Sequence, residues 1–161
     1  MTTLNHILSG AALGAISPNP GAAFFTGTLG HLLLDDIPHS EYDWPPYYFK
    51  SFKQLTKKQT ILSVLFSVII GGLLLFIMAY HNHKILSYNV LFGILGGIWI
   101  DFFDLAMPRL TSQKILKKPF FKQLHKLHIF FHTENEKFRS GVKLTYSFIV
   151  NIVALVILYF F

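Results

Sequence analysis

The chain has 161 residues, a net charge of +6 and a mean hydropathy of +0.47. Hydrophobic residues make up 52% of it and charged residues only 14%, whereas a soluble domain carries about 25% charged residues. This composition excludes an ordinary water-facing surface, and 17 Phe exclude intrinsic disorder, so it indicates a membrane protein. The absence of Cys excludes disulfides, thiolate zinc sites and Cys nucleophiles.

The first 36 residues predict a hairpin of two short apolar helices, 3–16 and 21–36. The segment 17–21, Ser-Pro-Asn-Pro-Gly, separates them with a strong turn signal. Each helix rises about 21 to 24 Å at 1.5 Å per residue, which is short for a bilayer core of about 30 Å. The hairpin therefore either spans the membrane or re-enters it, and both forms return the chain to its starting side.

Three longer apolar segments follow, at 60–80, 88–107 and 142–161. Each is close to the roughly 20 apolar residues that a membrane-spanning helix needs. With the hairpin 3–36, they predict an all-α membrane bundle of about five membrane helices. We expect residues 1–161 to form a single membrane-embedded domain.

Lys and Arg predict the orientation of this bundle. Thirteen of the 14 lie in or next to the loops 37–59 and 108–141, and only Lys84 lies in the loop between the first two long spans. We therefore expect both basic loops and the N-terminus to be cytoplasmic and the C-terminus to be outside. Because the positive charge follows the topology, we expect the lipid bilayer as the partner and no nucleic acid. The sequence leaves the oligomeric state open.

Residues 119–132, PFFKQLHKLHIFFH, predict a cytoplasmic amphipathic helix at the membrane interface. Pro119 occupies a plausible first helical position. At 100° per residue the apolar side chains share one face and the lysines point away from it. Three histidines, His125, His128 and His132, form a third stripe that can turn towards the bundle.

The remaining polar residues collect at the same predicted membrane level. His31 and Asp35 lie four residues apart and Asp101 and Asp104 three apart, so each pair shares a helix face. Carboxylates at the edge of a membrane usually mark function, and imidazole mixed with carboxylate suits Zn, Mn or Fe. The predicted metal ligands are His6, His31, Asp35, Asp101, Asp104, His128 and His132, with His125 as a secondary candidate.

Glycines continue the same helix faces into the membrane. Gly10 and Gly14 follow His6, while Gly93 and Gly97 precede Asp101. Small residues allow membrane helices to approach closely. The faces that pack together are therefore predicted to be the faces that carry the polar residues.

The stretch 31–42, HLLLDDIPHSEY, resembles the metal-binding signature of zinc-dependent phospholipase C and related nucleases. His31 and Asp35 match its His-x-x-x-Asp element, and Pro38 with His39 lies close to its later element. The order of motifs along the chain resembles uncharacterised bacterial inner-membrane proteins that are described as metal-dependent hydrolases. This resemblance implies a metal site and a location in the bacterial inner membrane.

These observations favour a membrane-embedded metal-dependent hydrolase with two ions, most simply zinc. Asp36 or His39 would orient a water molecule or protonate the leaving group. A phosphoester of a lipid or another amphiphile is the expected substrate, with basic residues near the site available for its anionic headgroup. Two alternatives stay open at this point, a small metal or proton transport protein and a non-catalytic membrane scaffold.

Overall fold

A computed structural model describes residues 2–37, 56–110, 113–132 and 140–161. Regular structure in these ranges is helical, with no strand among them. Two 3-10 helices, His83–Leu86 and Gln113–Lys117, and a π-helical segment, Phe102–Ala106, connect the α-helices. The α-helices are α1 Thr3–Ala15, α2 Pro20–Asp35, α3 Lys57–His81, α4 Tyr88–Asp101, α5 Met107–Leu110, α6 Pro119–His132 and α7 Ser140–Phe160.

Local sequence explains where the helices begin. The Thr2 and Asn19 side chains accept hydrogen bonds from backbone N–H groups at the starts of α1 and α2. Thr56 and Gln59 form a capping box at the start of α3. The predicted all-helical fold is confirmed, and the bounds of α1, α2 and α6 lie within one residue of the predicted ones.

The predicted continuous helix 88–107 is interrupted in the structure. Regular α-helical bonding ends at Asp101, and the π-helical segment follows it directly. The Met107 N–H donates to the Phe102 carbonyl five residues earlier, which widens the turn. Sequence periodicity does not detect this insertion, although the segment follows one predicted ligand, Asp101, and contains another, Asp104.

Among the described residues, α3 is the one helix that is both long enough and apolar enough to cross a membrane. It has 25 residues, and large apolar side chains such as Ile69 and Phe76 are exposed along it. The apolar stretch Thr145–Phe160 of α7 is shorter. The bundle of about five membrane helices therefore stays a prediction.

Helices α1, α2 and α4 pack together at glycines. A Cβ atom on Gly97 of α4 would lie 2.5 Å from the His6 carbonyl oxygen of α1. A Cβ atom on Gly27 of α2 would collide with the carbonyl of Gly93. The predicted glycine faces are the contact faces, and the close backbone approach brings residues of three helices to one place.

Two apolar clusters flank this junction. The larger one joins α1, α4 and α7 through residues such as Leu8, Val90 and Leu158. The smaller one consists of Leu32, Ile100 and Leu124, and it packs α6 against α2 and α4. The polar site lies where the second cluster brings α6 to the three packed helices.

The Gly97 contact predicts a loss of stability in Gly97→Ala. The added methyl group would meet the α1 backbone, which has no flexible side-chain end to move away, and such overpacking costs about 1–3 kcal/mol. Gly72→Ala is the matched control, because a Cβ atom there meets nothing within 4 Å. Thermal unfolding in detergent measures both variants. Equal melting temperatures for the two variants would contradict this account of the packing.

Candidate metal centre

Four side chains from three helices converge at the glycine-packed junction. His6 comes from α1, His31 and Asp35 come from α2, and Asp101 ends α4. One ligand atom from each lies within 4.8 Å of all the others, so these four residues can hold a metal ion. His6, His31 and Asp35 are buried, and the Asp101 side chain is 19% exposed. Asp101 is thus the one of these four donors that solvent reaches.

The two carboxylates face the same pair of imidazole nitrogens. The two oxygens of Asp35 lie 3.2 Å from His6 Nε2 and 3.1 Å from His31 Nε2. The oxygens of Asp101 lie 3.7 Å and 3.8 Å from the same two nitrogens. His31 and Asp35 are four residues apart on α2, so the predicted shared face of this pair is present.

A backbone contact fixes the orientation of His31. Its Nδ1 donates a hydrogen bond of 2.8 Å to the Gly97 carbonyl oxygen, which turns Nε2 towards the carboxylates. Histidine ligands in metal sites commonly donate a hydrogen bond from their second ring nitrogen to a carbonyl oxygen in this way. This role of Gly97 was missed from the sequence, where the glycine signalled only close packing. The sequence signal that could have indicated this role is that Gly97 lies one helical turn before the predicted ligand Asp101.

Several buried nitrogens in the cluster make no hydrogen bond to the part of the chain that the structure describes. They are His31 Nε2 and both ring nitrogens of His6. Burial of a polar atom without a partner costs about 1–3 kcal/mol. Because these nitrogens lie beside two carboxylates, a cation between them would bind both the imidazole nitrogens and the carboxylate oxygens. The cluster therefore fits a divalent metal.

His128 of α6 extends this cluster. The ring is buried, and its Nε2 lies 3.1 Å from an Asp35 oxygen and 3.4 Å from an Asp101 oxygen. Its Nδ1 donates a 2.8 Å hydrogen bond to Asp104. Burial alone would lower the pKa of His128, but the hydrogen bonds with Asp104 and Asp35 outweigh it and raise the pKa to about 10.

Asp104 lies in the π-helical segment, apart from the four-residue cluster. One of its oxygens accepts from His128, and the other lies 2.8 Å from His125 Nδ1. Its carboxylate is buried, whereas the His125 side chain is 39% exposed. The structure therefore places the predicted ligand Asp104 and the secondary candidate His125 next to His128.

Three predicted site residues remain, Asp36, His39 and His132. Asp36 caps the end of α2 and is exposed. His39 and the side chain of His132 lie outside the described residues. Their predicted roles stay predictions.

Comparison with protein-family models, curated proteins and solved structures finds no match to this chain. The resemblance to inner-membrane hydrolases and to phospholipase C therefore stays a prediction from short motifs. The candidate site rests on the positions of the side chains.

The cluster predicts that detergent-purified wild type, prepared without chelators, contains a near-stoichiometric transition metal. His31→Ala and Asp101→Ala should each lose most of it, because each removes one donor of the four. His83→Ala is the control, since that histidine is exposed in a separate 3-10 helix. Elemental analysis by mass spectrometry measures the metal content. A metal-free wild type, or equal metal content in all four proteins, would contradict the prediction.

Proposed function

We propose that this chain is a membrane-embedded metal-dependent hydrolase that cleaves a phosphoester in a lipid or another amphiphile. The cluster of His6, His31, Asp35 and Asp101 carries this proposal, because it joins three buried metal donors to a fourth, Asp101, whose side chain is partly exposed. The site would act at the cytoplasmic face of a bacterial inner membrane.

Zinc is the proposed metal, with Mn or Fe as alternatives. Two imidazoles and two carboxylates form the nitrogen and oxygen donor set that suits these ions, and catalytic zinc sites keep one position open. The predicted second ion stays a prediction, because the described residues bring together a single group of four donors.

A divalent metal in this position supplies Lewis acid chemistry, which polarises a phosphoester and activates water for attack. The chain itself would hold the cation with the buried Asp35 carboxylate, the partly exposed Asp101 carboxylate and the two imidazole rings, of which His31 is fixed by its hydrogen bond to the Gly97 carbonyl oxygen. Asp101 is the most exposed of the four donors, so substrate would approach beside it. Asp36, exposed one residue after Asp35, is the proposed proton acceptor.

An amphiphilic substrate is supported by the side chains around the site. Large apolar residues are exposed close to its donors in the chain, including Leu33 between His31 and Asp35, Phe102 after Asp101, and Leu127 beside His128. Exposed lysines precede α6 and lie on it, including Lys118 and Lys122. Apolar surface next to positive charge suits a lipid with an anionic headgroup.

The same lysines support the proposed orientation. Lys57 and Lys58 are exposed at the start of α3, and further exposed lysines surround the start of α6. Cytoplasmic loops carry an excess of Lys and Arg. We therefore assign the candidate site to the cytoplasmic side.

Packing away from the site favours hydrolysis over transport. The larger buried cluster consists of aliphatic side chains, among them Leu8, Ala12 and Leu158. A metal or proton relay would need polar groups along its path. The ionisable groups instead gather at the junction with α6, as a reaction centre at one membrane face would require.

Hydrolysis of a defined probe tests the proposed function. Metal-loaded wild type should cleave a long-chain p-nitrophenyl phosphodiester in mixed micelles faster than the soluble bis-p-nitrophenyl phosphate. Asp101→Asn and His31→Ala should fall to the rate of the protein-free blank, because each removes a metal donor. His83→Ala should retain the wild-type rate.

Chelation should abolish the activity, and added Zn²⁺ should restore it. Metal-loaded wild type that cleaves neither probe would contradict the phosphoesterase proposal and favour the transport or scaffold alternative. Equal rates in wild type and Asp101→Asn would also contradict it, because cleavage would then not depend on this site.

A further inference from the structure

We infer that Asp104 is a positioning residue, which holds His128 as a fifth donor of the metal centre and so attaches α6 to it. This inference rests on the metal site of the proposed function and adds a role for the amphipathic helix. Asp104 itself would not touch the ion.

The two nitrogens of His128 face different partners. Nε2 points at Asp35 and Asp101, at 3.1 Å and 3.4 Å, and so reaches the four-residue cluster. Nδ1 lies on the opposite side of the ring and donates to Asp104 at 2.8 Å. The ring therefore bridges one carboxylate behind it and the donor cluster in front of it.

The π-helical segment accounts for the separate positions of the two carboxylates. In a regular helix, residues three apart lie on one face, and Asp104 would follow Asp101 towards the cluster. The segment Phe102–Ala106 begins directly after Asp101 and contains Asp104. Its wider turn redirects the second carboxylate towards α6, and π-helical insertions of this kind occur frequently at functional sites.

Asp104 is itself held from a second direction. The His125 Nδ1 donates to its other oxygen at 2.8 Å, and His125 lies three residues before His128 on α6. Leu124, next to His125, packs against Leu32 and Ile100. These contacts fix the carboxylate and the helix together, so that His128 has one orientation rather than several.

A carboxylate that accepts from Nδ1–H has two effects on a histidine ligand. It leaves Nε2 as the nitrogen that faces the cluster, where a bound cation would displace the proton shared with Asp35, and it makes that nitrogen a stronger donor. Mutation of such partners typically lowers metal affinity about 10- to 100-fold. In this chain the effect must pass through His128, because Asp104 contacts that ring and not the cluster.

A double-mutant cycle on the full-length protein in detergent tests this inference. Co²⁺ is titrated into metal-stripped wild type, Asp104→Asn, His128→Ala and the double variant, and its visible absorption reports binding. Asp104→Asn should weaken Co²⁺ binding about 10- to 100-fold in the wild-type background. In the His128→Ala background, the same substitution should change affinity by no more than about twofold.

Two further variants separate positioning from folding. Asp104→Glu retains a carboxylate and should recover part of the lost affinity. Gln123→Ala, on an exposed position of α6, should bind Co²⁺ as wild type does. A general structural role for Asp104 would instead weaken binding equally in both backgrounds.

Equal losses in the two backgrounds, or wild-type affinity in Asp104→Asn, would overturn the inference. Such a result would leave the proposed hydrolase standing, provided that the wild type binds Co²⁺ and cleaves the probe. If the Asp104 and His128 substitutions are coupled in the cycle but the protein cleaves no probe, the positioning role of Asp104 is supported and the phosphoesterase proposal is rejected. Wild type that binds no Co²⁺ would overturn both.

Discussion

Burial of the Asp35 carboxylate is the constraint on which the rest of the structure depends. A buried charge is costly unless it is paired, and rings from three different helices, those of His6, His31 and His128, surround this one. The ring nitrogens and the carboxylate oxygens are all metal donors, so a cation between them would pair the buried charge. The arrangement therefore ties α1, α2 and α6 to a single buried group, and that group is one of the four donors that could hold a metal ion.

Close helix packing and the candidate chemistry use the same residues. Gly97 admits the α1 backbone at the level of His6, and its carbonyl oxygen accepts the hydrogen bond from His31 Nδ1. A larger residue at this position would push the two helices apart and, at the same time, move the carbonyl oxygen that accepts from His31. Site geometry and bundle stability are thus coupled, whereas the exposed apolar side chains of α3, such as Ile69 and Phe76, take part in neither.

The sequence predicted the helices well because their signals are local. Thr2, Asn19 and Thr56 mark helix starts, and the His31–Asp35 pair follows directly from helical spacing. The separation of Asp104 from Asp101 was not predictable in this way, because it depends on a π-helical insertion that periodicity does not reveal. The close approach of His128 to Asp35 depends on tertiary packing across 93 residues of chain.

The coordination of bound metal tests the central claim most directly. X-ray absorption at the metal edge of zinc- or cobalt-loaded protein reports which atoms surround the ion. The account predicts nitrogen and oxygen neighbours only, with the outer scattering of several imidazole rings, and a loss of imidazole scattering in His31→Ala. A shell of oxygen neighbours without imidazole, or a spectrum unchanged by His31→Ala, would contradict a metal centre built from these helices.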